Sequence, residues 1–133
     1  MDFRGGFLAD LLALQLLHTN LAHCLNNRRF SNMRDFFSSD AVLEQDTEVF
    51  VGVDNITRGL QQHVSPKVRF LFGAPYVSIQ ESGEATGQSL RITYSTDKQG
   101  AVVVVVDDVR DRYRVDKDDR WRIALRSVTR IVG

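Results

Sequence analysis

The chain has 133 residues, enough for one hydrophobic core and too few for two comfortable domains. Lys+Arg and Asp+Glu each number 17, so the formal charge is zero and the basic excess of a nucleic-acid binder is missing. The single cysteine, Cys24, excludes an intrachain disulfide and any C-x-x-C metal or redox motif.

No stretch reaches the roughly 20 apolar residues needed to span a bilayer. The apolar run after Arg4 is interrupted by Asp10, Asp2 offsets the positive charge, and no small-x-small cleavage site follows. A cytoplasmic protein with neither membrane nor nucleic-acid partner is the expectation, with residues 1–133 as a single domain.

Residues 8–26 read as a helix. Leu11, Leu14, Leu17, His18, Leu21 and Leu25 recur at steps of three and four. Leu12 and Leu16 lie towards the other side, which predicts a helix covered over much of its circumference. Asn26 and Asn27 supply a stop, because asparagine tolerates the left-handed conformation.

Ser31 offers an N-cap for a short helix over residues 32–38, followed by a turn at Ser39 and Asp40. Residues 41–51 read as a strand or hairpin, ended by Gly52. Asp54 can cap a third helix over residues 55–63.

From residue 67 the period changes to two. Strands are predicted over residues 68–72, 76–80, 86–95, 101–115 and 121–132, each separated by turn chemistry. This pattern predicts an α+β fold with a curved, mostly antiparallel sheet, a long N-terminal helix and two short helices. Val102 to Val106 form an unbroken valine run, which predicts a central strand covered on both sides. One cover is the helices; the other is a subunit interface, or the run is simply interior.

Several stretches resemble the SnoaL-like branch of the nuclear transport factor 2-like superfamily. They are the segment from Leu25 through Phe30, Phe36 and Asp40 to Ala41, the glycine turn at Gly52, the hairpin from Ser82 to Thr86, and the last hairpin ending in Trp121, Arg122 and Ile123, followed by Arg126. The resemblance implies the cystatin-like cone of scytalone dehydratases, polyketide cyclases and ketosteroid isomerases, with a pocket between sheet and helix and a dimer paired through the outer sheet face. Members include enzymes and noncatalytic binding modules, so the fold alone does not assign a function.

In the dehydratase members an aspartate at the end of the first helix orients a sheet histidine that acts as general base. The resemblance places Asn26 at the aspartate position, Phe70 at the histidine position and Ser95 near a second histidine. None of the three can play the family's proton-transfer role: Asn26 carries no charge, Phe70 takes no proton, and Ser95 lacks an activating partner. A pocket lined by Leu25, Asn26, Phe70, Tyr94 and Ser95 is expected to hold a small hydrophobic molecule.

Of the three histidines, His18 reads as a core residue and His63 as a helix-end or exposed one. His23 lies three residues before Asn26 and can share its face, so it is one candidate for chemistry. The other is Asp107, whose parity matches Asp111 and Tyr113 and which can face the cone. Arg110, Arg112 and Arg114 alternate with these residues. Trp121 reads as core packing, and Arg126 as a structural ion-pair partner.

No metal-ligand spacing and no cofactor are read. Three functions remain open: a lyase-, isomerase- or cyclase-like protein with a noncanonical acid/base set, a noncatalytic ligand-binding or assembly module, and a protein-interaction subunit using the Val102 to Val106 run and the Leu12 and Leu16 face.

Overall fold

The computed structural model describes residues 6–133; Asp2 and Arg4, read above for targeting, lie outside them. The element order is α1 (Gly6–Asn26), a 3-10 helix (Phe30–Asp35), β1 (Phe37–Gln45), β2 (Glu48–Val51), α2 (Val53–His63), β3 (Arg69–Phe72), β4 (Tyr76–Ile79), β5 (Ala85–Thr96), β6 (Val102–Val115) and β7 (Trp121–Val132). The seven described strands form one sheet in the order β2-β1-β7-β6-β5-β3, with β4 also paired to β5. Every pairing is antiparallel except β1 with β7.

The inner face of this sheet packs on α1. Leu14, Leu17, His18, Leu21, Cys24 and Leu25 are buried along one stripe of the helix, as the three- and four-residue spacing requires. Leu8, Leu12 and Leu16 are exposed, so the expected cover around most of the circumference is not present in the protomer. The helix ends where Arg28, rather than either asparagine, takes the left-handed conformation at φ 56°. Asn27 Nδ2 caps the last turn by donating to the His23 carbonyl.

Three local expectations are corrected. Ser31 does not cap a helix: the turn is a 3-10 helix that begins at Phe30, with Arg29 at the cap position and no side-chain cap. Ser39 and Asp40 are not a turn, because β1 already runs from Phe37 and absorbs an irregularity in its pairing with β7 there. Asp54 does not cap α2 either. Gly52, at φ 89°, holds the cap position, and Asp54 sits in the first turn, paired to Arg34 at 2.7 Å.

The valine run also differs from expectation. β6 is central, but its first end projects past the helices, leaving Val102 69% and Val104 44% exposed. Register places Leu71, Ile92, Val106 and Val132 side by side across β3, β5, β6 and β7. With Tyr94 and Val104 beside them, they form an apolar area on the outer face of the sheet. The single-face burial of antiparallel strands applies here instead of the double cover that five valines suggested.

Further down the sheet, the inner face is tightly fitted. Gly87 on β5 leaves room for Tyr113, since a Cβ there would lie 2.5 Å from the phenol oxygen. No described helix is long and apolar enough to cross a membrane.

Candidate functional site

The inner sheet face carries charge as well as apolar side chains. On β5, alternation points Ser89, Arg91, Thr93 and Ser95 inward; on β6 it points Asp107, Asp111 and Tyr113 inward. Arg91 and Asp107 are direct cross-strand neighbours. Arg91 Nε and Nη2 both donate to Asp107 Oδ2, at 3.3 and 2.9 Å. Asp107 is only 2% exposed, and Arg130 on β7 approaches its other oxygen at 3.8 Å. Burial lowers Arg91 from its ordinary value, while the Asp107 hydrogen bond and charge hold it up. A guanidinium in such a pair stays a cation.

A second pair lies deeper. Arg126 grips Asp111 with two hydrogen bonds, at 2.7 and 2.9 Å, and the Tyr113 hydroxyl adds a third at 3.2 Å. Burial lowers Arg126, but the charge and hydrogen bonds of Asp111 outweigh it and leave the group raised. Burial and then the Asp111 charge push the Tyr113 phenol above its ordinary value. Phe70 and Phe72 lie under the two arginines, with guanidinium-to-ring distances of 5.2 and 5.6 Å.

Between α1, α2 and this face lies a cavity of about 220 Å³. Leu25, Leu60, Val64, Phe70 and Val105 give it apolar walls; Arg91, Thr93, Ser95, Asp107 and Arg130 give it polar ones. Of the residues singled out in the sequence, Leu25, Phe70, Ser95 and Asp107 line this cavity. Sequence reasoning missed Arg91, Thr93 and Arg130. Arg91 and Thr93 share the inward parity of Ser95 on β5, but the partner of Arg91 depends on cross-strand register, and Arg130 comes from β7.

Three expected site residues, Tyr94, His23 and Asn26, do not line this cavity. Tyr94 is 41% exposed on the outer face, because neighbours on a strand point to opposite sides and Ser95 points inward. His23 is exposed and lies 3.3 Å from Asn27 Nδ2, not against Asn26. Four residues make one helical turn, and that spacing favoured Asn27. His63 ends α2 and meets Glu48 at 3.2 Å. Trp121 is buried, and its indole nitrogen donates to Asp10 at 3.0 Å.

Asn26 has a specific structural task. Its Nδ2 donates to the Phe70 carbonyl at 2.9 Å, and its Oδ1 accepts from the Phe70 amide at 2.7 Å. The side chain thus extends the ladder of β3 and fastens it to the end of α1. Only an amide offers both a donor and an acceptor in this geometry; a carboxylate offers acceptors alone.

His18 is buried at 4% exposure beside Phe72, with ring centroids 5.0 Å apart at 84°. Neither ring nitrogen has a hydrogen-bond partner, and the same is true of Ser89 Oγ and Thr93 Oγ1. Burial first, then the Arg126 charge, lowers His18 to about 4, against a smaller opposing pull from Asp111 and the Gly73 backbone. It is neutral at pH 7. Among the described residues no cluster of three or more His, Cys, Asp or Glu is placed to hold a metal.

Residues 7–127 match the SnoaL-like domain family. The chain belongs to that family. Solved structures share the family's fold at low identity. One is a ketosteroid isomerase-like protein from Erwinia carotovora atroseptica, 17% identical, with a TM-score of 0.81 over 96% of this chain and 100% of that one. Another is Aln2 from a Streptomyces species, 19% identical, with a TM-score of 0.76 over 90% of this chain and 88% of that one. A third, an ntf2-like protein with a cystatin-like fold from Novosphingobium aromaticivorans, is 14% identical, with a TM-score of 0.82 over 95% of this chain and 84% of that one. No curated protein matches the chain. The SnoaL-like cone is thereby shown.

Asn26→Asp is expected to destabilise the protein by about 1–3 kcal/mol at pH 7, because the Phe70 carbonyl loses its donor and faces a carboxylate. The introduced carboxyl regains a donor when protonated, so its folded pKa is raised. The penalty is then full above that pKa and fades as pH falls towards about 4. Urea denaturation at pH 7 and pH 4 checks this; a penalty independent of pH rejects the two-way clamp.

His18 predicts a pH dependence of opposite origin. Its folded pKa of about 4 lies below the ordinary 6.5, so the unfolded chain binds the proton first. The stability it confers is complete above 6.5 and is lost as pH falls towards 4, by on the order of 3 kcal/mol. The stability of the wild type relative to His18→Leu should fall by that amount over that range. A difference that stays constant from pH 7 to pH 4 contradicts a neutral, desolvated imidazole.

Proposed function

We propose that this SnoaL-like protein binds a small, largely apolar molecule in the cone. The cavity walled by Leu25 and Phe70, with Ser95 and the Arg91–Asp107 pair at its polar side, carries this reading. It is smaller than the roughly 300–1,000 Å³ of drug-sized sites, which favours a compact ligand.

Binding is supported better than the family's proton abstraction. Asn26 is committed to the Phe70 backbone, and Phe70 itself has no titratable group. Chemistry of the lyase, isomerase or cyclase kind is the second reading. It rests on Asp107, the one carboxylate among the described lining residues. One oxygen of that carboxylate is taken up by two hydrogen bonds from Arg91, and a noncatalytic binding module needs no proton-transfer step.

A thermal-shift screen of small hydrophobic carbonyl compounds tests the pocket. Binders are expected to raise the melting temperature of the wild type and to lose this effect in Ser95→Phe, where the new ring occupies the cavity. The reading fails if a broad library gives no shift, or if Ser95→Phe responds as the wild type does.

Two copies pairing through the outer sheet face, as a homodimer, complete this proposal. The row from Leu71 to Val132, exposed at its ends and half-buried at Ile92 and Val106, and the neighbouring exposed Val102 and Val104 support it, since soluble monomers seldom expose a large continuous apolar area. Light scattering at high concentration should report twice the chain mass, falling on Val104→Asp; a wild-type monomer removes the dimer. A cytoplasmic location belongs to the same proposal. The lone, buried Cys24 needs no oxidising compartment, which is consistent with it.

A further inference from the structure

The cavity's charges are unevenly committed. Arg91 and Asp107 satisfy one another, through two hydrogen bonds to a single carboxylate oxygen. Arg130, on the neighbouring strand at the rim, is held differently. Its closest acids are Asp107, 3.8 Å from Nε, and Asp46, 4.0 Å from Nη2. Both separations exceed the roughly 2.7–3.2 Å of an N–H···O hydrogen bond. The guanidinium is half-exposed and lines the cavity, with its planar fork of donors uncommitted.

Two arginines and one aspartate line this space, so its described charged lining is net positive. The nearby Asp46 stands on the β1–β2 turn and is half-exposed, where water screens it. A second, independent feature points inward. Thr93 Oγ1 is buried, lines the cavity and has no partner, and a buried hydroxyl left unpaired is unusual.

Resting on the small-molecule reading above, we infer that the ligand is a compact carboxylate. Its apolar body lies against Phe70, Leu60 and Val64, its carboxylate meets Arg130 at the rim, and a polar atom of its body meets Thr93. Arginine suits this anion because its two parallel N–H groups match the two carboxylate oxygens. An uncharged amide of the same shape can fill the walls and reach Thr93, but it leaves Arg130 without an anion.

Isothermal titration calorimetry at low ionic strength tests this with benzoate, phenylacetate and hexanoate, each against its uncharged amide. Amide NMR shifts at Thr93 and Ser95 report whether binding is in the cavity. Carboxylates are expected to bind about tenfold tighter than their amides. Arg130→Gln should abolish that preference while leaving amide affinity unchanged, and Arg130→Lys should keep part of it. Thr93→Val should weaken carboxylates and amides alike.

Equal binding of acids and amides, or a preference that survives in Arg130→Gln, overturns the carboxylate assignment and leaves the pocket standing. If neither series binds and the Thr93 and Ser95 signals stay fixed, the pocket reading falls and takes this inference with it.

Discussion

The buried arginine–aspartate pairs on the inner sheet face govern what this cone can hold. Asp107 and Asp111 point into the interior on the same side of β6, where an unpaired charge is intolerable. Arg91 and Arg126 resolve that conflict from the strands on either side. Removing one member of such a pair generally costs about 3–5 kcal/mol, because the partner is left buried and bare. The cavity is therefore polar on its sheet side by structural necessity, and the chemistry available to a ligand is what these pairs leave uncommitted.

The second constraint is the bridge from α1 to the sheet. Asn26 stands where the family resemblance has an acid, a position that suggests a pocket residue. Its amide is instead consumed by the Phe70 main chain. Asn26 fastens the main chain of β3, and separately the Phe70 ring lies beneath Arg91. Asn26 and the Phe70 main chain form a joint between helix and strand. The proposed ligand lies beyond it, among Thr93, Ser95 and the arginines.

The fold was largely legible because periodicity is a local property. Steps of three and four in the first helix, and of two after residue 67, depend only on which face of an element is buried. Failures came where a neighbour decided the outcome. Ser31 and Asp54 had the right chemistry for caps, but backbone turns at Arg29 and Gly52 took those positions. The valine run suggests double cover because composition cannot report how far a hairpin projects beyond its helices. Tyr94 and Ser95 are adjacent in sequence, yet strand geometry sends only one of them inward.

From the sequence by itself came the element order, the α+β class and the inward parity of Asp107. These follow from residue type and spacing, which act over a few residues. Only the tertiary structure decided that Arg91 faces Asp107, that Asn26 holds Phe70, and that Arg130 reaches the cavity rim with its donors free. Each depends on register or on contacts between residues distant along the chain, such as the 44 positions separating Asn26 from Phe70. Such pairings arise when strands and helix pack as a whole, and local spacing cannot specify them.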